Sequence, residues 1–137
     1  MGDRRCRWRR ARIGRRTAEA FDSLGWALVL IDLQTIELSD YKNVIAFKGD
    51  ITDEKFVATI ATESVEKFGR IDALVNNAGI SNISPALKTS AETYRRVIDV
   101  NLVAPFLLAK AFGEIMLSAG SGSIVNVSSV AGLRGVA

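Results

Sequence analysis

Four short apolar runs, each bounded by turn residues and set apart by segments with a helical period, leave this chain few ways to fold. The runs are residues 26–32 (WALVLID), 44–47 (VIAF), 71–76 (IDALVN) and 124–127 (IVNV). None keeps the strict alternation of a strand with one wet face. Continuous apolar runs of this length read instead as strands covered on both faces, as in a parallel sheet packed between helices. Ahead of the first run, Ile13, Thr17, Phe21 and Leu24 recur at helical spacing, and Gly25 follows where a C-terminal glycine belongs, so residues 13–24 are expected to be a helix. Thr52 is the expected N-cap of a second helix. Asp53 and Glu54 favour the positive end of its dipole, Val57, Ile60, Ala61, Val65 and Phe68 line one face, and Gly69 ends it. Thr89 and Glu92 make a capping-box pair ahead of Tyr94, Val97 and Ile98. Pro105 marks the joint with a further helix carrying Leu108, Phe112, Ile115 and Met116, which the Gly-Ser-Gly at 120–122 breaks. The order is helix, strand, strand, helix, strand, helix, helix, strand, which predicts an α/β fold with parallel strands. No internal repeat or long linker appears, so residues 1–137 are expected to form one domain.

Residue usage removes several chemistries. The only cysteine is Cys6 and there is no histidine. Intrachain disulfides, Ser-His-Asp hydrolysis, Cys-His chemistry and the usual zinc sites are excluded, and no metal is expected. The net charge of +3 is unevenly spread. Residues 1–16 hold eight arginines against Asp3, a net +7, while the rest carries ten basic and fourteen acidic residues, a net −4. Residues 1–12 are thus an atypical Arg-rich segment on a mildly acidic body. No run of apolar residues approaches the length needed to cross a bilayer, and no apolar stretch follows the basic start as a secretory signal would require, so no membrane partner and a cytoplasmic location are expected.

The third run and its turn read Val75-Asn76-Asn77-Ala78-Gly79. Three further motifs stand in order around it: Asp50-Ile51-Thr52, Asp99-Val100-Asn101-Leu102 and Ile124-Val125-Asn126-Val127-Ser128-Ser129. Together, in register over residues 17–132, they resemble the short-chain dehydrogenase/reductase family of nicotinamide-dependent oxidoreductases. The resemblance implies a Rossmann-like, doubly wound parallel sheet, and hydride transfer between a nicotinamide and a small-molecule alcohol or carbonyl substrate. Asp32, at a strand end, would accept hydrogen bonds from the adenosine ribose and repel a 2′-phosphate, which favours NAD over NADP. A solvated strand-end acid is the plainer reading. Asp50 would bond the adenine amino group with Ile51 beside the ring, or cap the next helix. Asn77, Ala78 and Gly79 would let the dinucleotide lie close to the backbone, or form an ordinary turn. Asn101 resembles the residue that holds a water in a proton relay, and Ser129 the one that bonds the substrate oxygen, with Ser128 as its structural neighbour. Homo-oligomers built on helices at 90–119 would also resemble the family.

Both ends depart from the family pattern. Of the glycines spaced G-x-x-x-G-x-G before the first helix, only Gly14, with Ile13 beside it, remains to contact the cofactor. Trp8 and Arg12 stand where the other two should be and would obstruct the diphosphate, although Arg12 could pair with it. Residues 1–7 carry four charges that a central strand could not bury, so the first strand is expected to be degraded. The Tyr and Lys that perform proton transfer in the family lie beyond Ala137. Tyr41 and Tyr94 do not replace them, since Ile45 and Ile98 stand four residues on. The expectation is an incomplete sheet lacking its later strands, in a truncated form with little activity. The competing reading is a non-catalytic binding or interaction protein that keeps the half-sheet and carries a basic arm for nucleic acid or an acidic partner. No aromatic residue beyond Trp8 interleaves the arginines, which counts against this reading, and nucleic acid is not the expected partner.

Overall fold

A computed structural model describes residues 12–132. Residues 1–7 and Trp8, on which the degraded strand and the obstructed glycine turn rest, lie outside the described residues, as does the Arg12 side chain. The chain divides into two compact units, one ending at Gly69 and the other beginning at Arg70.

The first unit contains α1 (Arg12–Ser23), β1 (Leu28–Asp32), β2 (Val44–Lys48) and α2 (Glu54–Phe68). Helix α1 closes through Gly25, whose φ of +82° is a backbone state that side chains with a Cβ resist. Its N–H donates to the Asp22 carbonyl (2.9 Å), and the Trp26 N–H donates to that of Phe21 (3.1 Å). This closure sets Phe21 and Trp26 side by side, ring centroids 5.0 Å apart and edge to face. Trp26 therefore belongs to the helix cap, and the strand expected from residue 26 starts at Leu28. β1 and β2 pair in parallel from Leu28↔Val44 to Asp32↔Lys48. Their connection is tied back to α1: Asp22 Oδ1 accepts the Lys42 N–H (3.0 Å), and Arg15 pairs with both Glu19 (2.6 Å) and Asp40 (3.5 Å). Helix α2 is capped by Asp53, which accepts from the N–H groups of Lys55 and Phe56, and not by Thr52. Thr52 is unavailable because its N–H and hydroxyl both donate to Asp50 Oδ1. The inner face of α2 is Val57, Ile60, Ala61 and Ser64; Val65 and Phe68, expected inside, are half-buried. The Ser64 hydroxyl survives burial by donating to the Ile60 carbonyl (2.5 Å).

The second unit contains β3 (Ala73–Asn76), α3 (Ala91–Ile98), α4 (Ala104–Ser118) and β4 (Ser123–Asn126). β3 and β4 pair in parallel from Ala73↔Ser123 to Asn76↔Asn126. Ser90, one residue past the expected Thr89, caps α3 by accepting the Thr93 N–H (3.0 Å). The Thr89 hydroxyl is already committed, donating to the Pro85 carbonyl and accepting from Asn82. Pro105 does not separate two helices. The chain stays helical from Ala91 to Ser118 by widening to a π turn over Asp99–Val103, where the Ala104 N–H reaches the Asp99 carbonyl. Val100, Ala104, Leu108, Phe112 and Met116 recur every four residues on the buried side, and α4 packs on β3 and β4. Burying Leu108, Phe112 and Met116 contributes about 2 kcal/mol each. The 28-residue helix also corrects an expectation. One 18-residue window has mean hydropathy 1.6, so by length and composition it could cross a bilayer.

Candidate functional site

In the first unit the expected cofactor residues gather at the carboxyl end of β1 and β2. Asp32 closes β1 and is half-buried; its Oδ1 accepts the Gln34 N–H (2.8 Å) and its backbone carbonyl accepts the Gly49 N–H (3.0 Å). Asp50 follows β2 by two residues. Its Oδ1 takes both Thr52 donors, at 2.9 and 2.7 Å, so the carboxylate braces its own turn, with Ile51 half-buried between them. The turn is held against α2 by Gly49: a Cβ there would overlap the Phe56 ring. Ile13 and Gly14 lie in the first turn of α1, Ile13 exposed and Gly14 half-buried. Two carboxylates at the ends of adjacent parallel strands present acceptors to the hydroxyl and amino groups of a polar ligand. Tyr41 is no base in this unit, because burial pushes its hydroxyl above the ordinary phenol value.

In the second unit Asn77, Ala78 and Gly79 follow β3 without regular structure, Asn77 half-buried and the other two exposed. The next residue, Ile80, is clamped by Asn101: its N–H donates to Asn101 Oδ1 (2.9 Å) and its carbonyl accepts from Asn101 Nδ2 (2.8 Å). Both ends of the Asn101 amide are thus spent on one backbone residue, as in a rung of sheet, and the turn after β3 is fixed to the helix. The backbone of Asn101 has a different fate. Its ordinary helical donor is the N–H four residues on, and that residue is Pro105, which has none. The Asn101 carbonyl is therefore an acceptor without an i+4 partner. Ser129 is exposed, and its Oγ accepts the Ala131 N–H (3.2 Å) in the turn Val130–Gly132. The bracing hydrogen bond in this turn comes from Ser129, while Ser128 was the expected structural residue.

Sequence reasoning missed one polar pair. Asn76 is 6% exposed and its Nδ2 donates to Asn126 Oδ1 (2.8 Å) across β3 and β4. The signal was two apolar runs each ending in Asn, LVN and IVN, but only the pairing register shows that these residues meet.

A family model described as short chain dehydrogenase matches residues 10–137. The chain is 35% identical over 132 residues to a 3-oxoacyl-[acyl-carrier-protein] reductase of Synechocystis, covering 90% of this chain and 53% of the relative. It is also 35% identical over 131 residues to a galactitol 2-dehydrogenase of Agrobacterium fabrum, covering 91% and 51%. Among solved structures, it resembles a short-chain dehydrogenase from Streptomyces avermitilis with a TM-score of 0.83 and 31% identity, over 90% of this chain and 47% of that one. A structure of ElxO with NADP bound gives a TM-score of 0.83 at 30% identity, over 90% and 54%. The chain spans about half the length of the relatives it matches.

Proposed function

The chain belongs to the short-chain dehydrogenase family, and from that footing we propose that it supplies the cofactor side and part of the catalytic surface of a nicotinamide-dependent oxidoreductase. The substrate class is a small molecule with an alcohol or carbonyl group, in keeping with relatives named as a polyol dehydrogenase and an oxoacyl reductase. The acceptors present fit a nicotinamide dinucleotide. Asp32 would hold the adenosine ribose through the oxygen that Gln34 does not use, Asp50 and Ile51 would border the adenine, and Asn77 to Gly79 would line the path of the dinucleotide, with Ile13 and Gly14 at the start of α1. NAD is the preferred form, since a carboxylate beside the ribose repels a 2′-phosphate; the NADP in the ElxO structure is that protein's ligand. When bound, the nicotinamide exchanges hydride with the substrate carbon.

The protein groups act on oxygen and protons. Ser129 Oγ accepts the Ala131 N–H, so its own proton can be given to a substrate oxygen, offsetting the charge that grows there as a carbonyl is reduced. The Asn101 carbonyl, lacking a donor at Pro105, is the group suited to hold a relay water, while its side chain keeps the neighbouring turn in place. No tyrosine in these residues has a lysine four positions on, so the 137-residue polypeptide alone is expected to bind cofactor and turn over little. The same proposal includes a cytoplasmic location and pairing with a second copy through the outer face of the long helix Ala91–Ser118, where Leu102, Phe106 and Leu117 are exposed.

The observation that carries this reading is Asp32 closing β1 with only one carboxylate oxygen committed to its turn. Titrating the purified chain with NADH and, in parallel, NADPH, followed by cofactor fluorescence, tests it. Saturable binding that favours NADH is expected; absence of binding to either overturns the cofactor assignment.

A further inference from the structure

Gly49 stands between the two carboxylates at the ends of β1 and β2. Its N–H donates to the Asp32 carbonyl (3.0 Å), and the next residue along the chain is Asp50, whose Oδ1 takes both Thr52 donors. Whatever fixes Gly49 therefore fixes the backbones of Asp32 and Asp50. A glycine does not do this by itself, because it has no side chain to pack and gives up more backbone freedom than any other residue when it is ordered.

The missing side chain is replaced from α2. The far edge of the Phe56 ring, with Cζ nearest, fills the space that a Cβ on Gly49 would take. The Phe56 N–H donates to Asp53 Oδ1 (3.3 Å), and the Asp53 N–H donates in turn to the Asp50 carbonyl (3.0 Å). Gly49, Asp50, Asp53 and Phe56 thus form a closed circuit of contacts. Phe56 is half-buried, whereas Val57 and Ile60 on the inner face of α2 are 2% and 0% exposed, so the ring serves the turn more than the apolar core.

Resting on the cofactor reading above, we propose that Phe56 is a positioning residue for the adenosine half of the dinucleotide. Through Gly49 it holds in place the carboxylates of Asp32 and Asp50 that receive the ribose hydroxyls and the adenine amino group. It acts through the turn and needs no contact with the ligand. The direction of the ring makes the proposal specific. Tyrosine in place of Phe56 is close to isosteric and suits a half-buried position, but its hydroxyl would extend from Cζ toward the Gly49 backbone. Leucine ends short of Cζ and leaves room for a Cβ at position 49.

The test titrates the 137-residue chain with NADH and with reduced nicotinamide mononucleotide, which lacks the adenosine, both followed by cofactor fluorescence. Amide exchange is read at Gly49 and Thr52. In Phe56→Tyr and in Gly49→Ala, NADH affinity should fall about tenfold, mononucleotide affinity should stay level, and both amides should exchange faster. Combining Gly49→Ala with Phe56→Leu should bring NADH affinity back toward that of the unsubstituted chain, because the shorter side chain accommodates the new Cβ. Ile60→Val trims the core face of the same helix and should leave the ratio of the two affinities unchanged. An unchanged ratio in Phe56→Tyr, or a double variant that binds NADH no tighter than Gly49→Ala, overturns the proposal and leaves the cofactor reading intact. So does a ratio that moves equally in Ile60→Val, since the stability of α2 then explains it. If the unsubstituted chain binds NADH no tighter than the mononucleotide, the adenosine assignment falls and the proposal with it.

Discussion

Asp32 has two oxygens, and the turn after β1 uses Oδ1. Replacing Asp32 with serine keeps an acceptor for the Gln34 N–H but removes the charge, so the turn should persist while a ribose loses a charge-assisted partner. NADH affinity is expected to fall about tenfold and NADPH affinity to stay level or rise, measured by the same fluorescence titration. A second residue-scale effect lies in α1. The hydrogen bond from Arg15 holds the Glu19 carboxyl below its ordinary value, with Arg16 adding to the effect. A depressed carboxyl contributes stability above its unfolded-state pKa, and that contribution is lost as pH falls through the folded value. The tie between α1 and the connection carrying Asp40 should therefore hold at neutral pH and loosen in acid below the normal glutamate range. The protection factor of the Lys42 amide, bonded to Asp22 beside this cluster, should fall there more steeply in the wild type than in Glu19→Gln.

At the scale of elements, the clamp between Asn101 and Ile80 joins the long helix to the turn after β3. Asn101→Ala removes both of its hydrogen bonds, and a loss of about 1–3 kcal/mol is expected by urea denaturation, with exchange at the Ile80 amide faster by tenfold or more. The strand cores of β1 to β4 were legible because continuous apolar runs have few other uses. Their ends were not. Trp26 looks like strand and is consumed by its contact with Phe21. Thr52 and Thr89 look like N-caps as much as Asp53 and Ser90 do, and only the hydroxyls' other commitments, to Asp50 and Pro85, decide between them. Pro105 looks like a helix boundary because the pattern of residue types carries no hint that a π turn can absorb it. In the candidate site, the positions of Asp32, Asp50, Asn101 and Ser129 could be read from motifs. Their hydrogen-bond partners could not, since Ile80 lies twenty-one residues from Asn101 and Asn126 fifty from Asn76.

For the whole molecule, large apolar side chains remain in water. Ile83 is 97% exposed, Leu117 84% and Val130 79%. Surfaces of this kind associate, so the chain should elute at a size that grows with loading concentration, and Phe106→Lys with Leu117→Lys should bring it toward the monomer. A monomer at all concentrations would contradict this. Pro105 has a consequence at the same scale. A carboxylate's capacity to accept from water or hold a proton is set by ionisation, and so changes with pH and salt. The acceptor at Asn101 is set by covalent structure: an imino acid four residues on has no hydrogen to give, under any condition. The missing i+4 bond cannot be restored by titration, screening or a neighbour's motion, and the proton path proposed to start there would keep the same first step from acid to alkali.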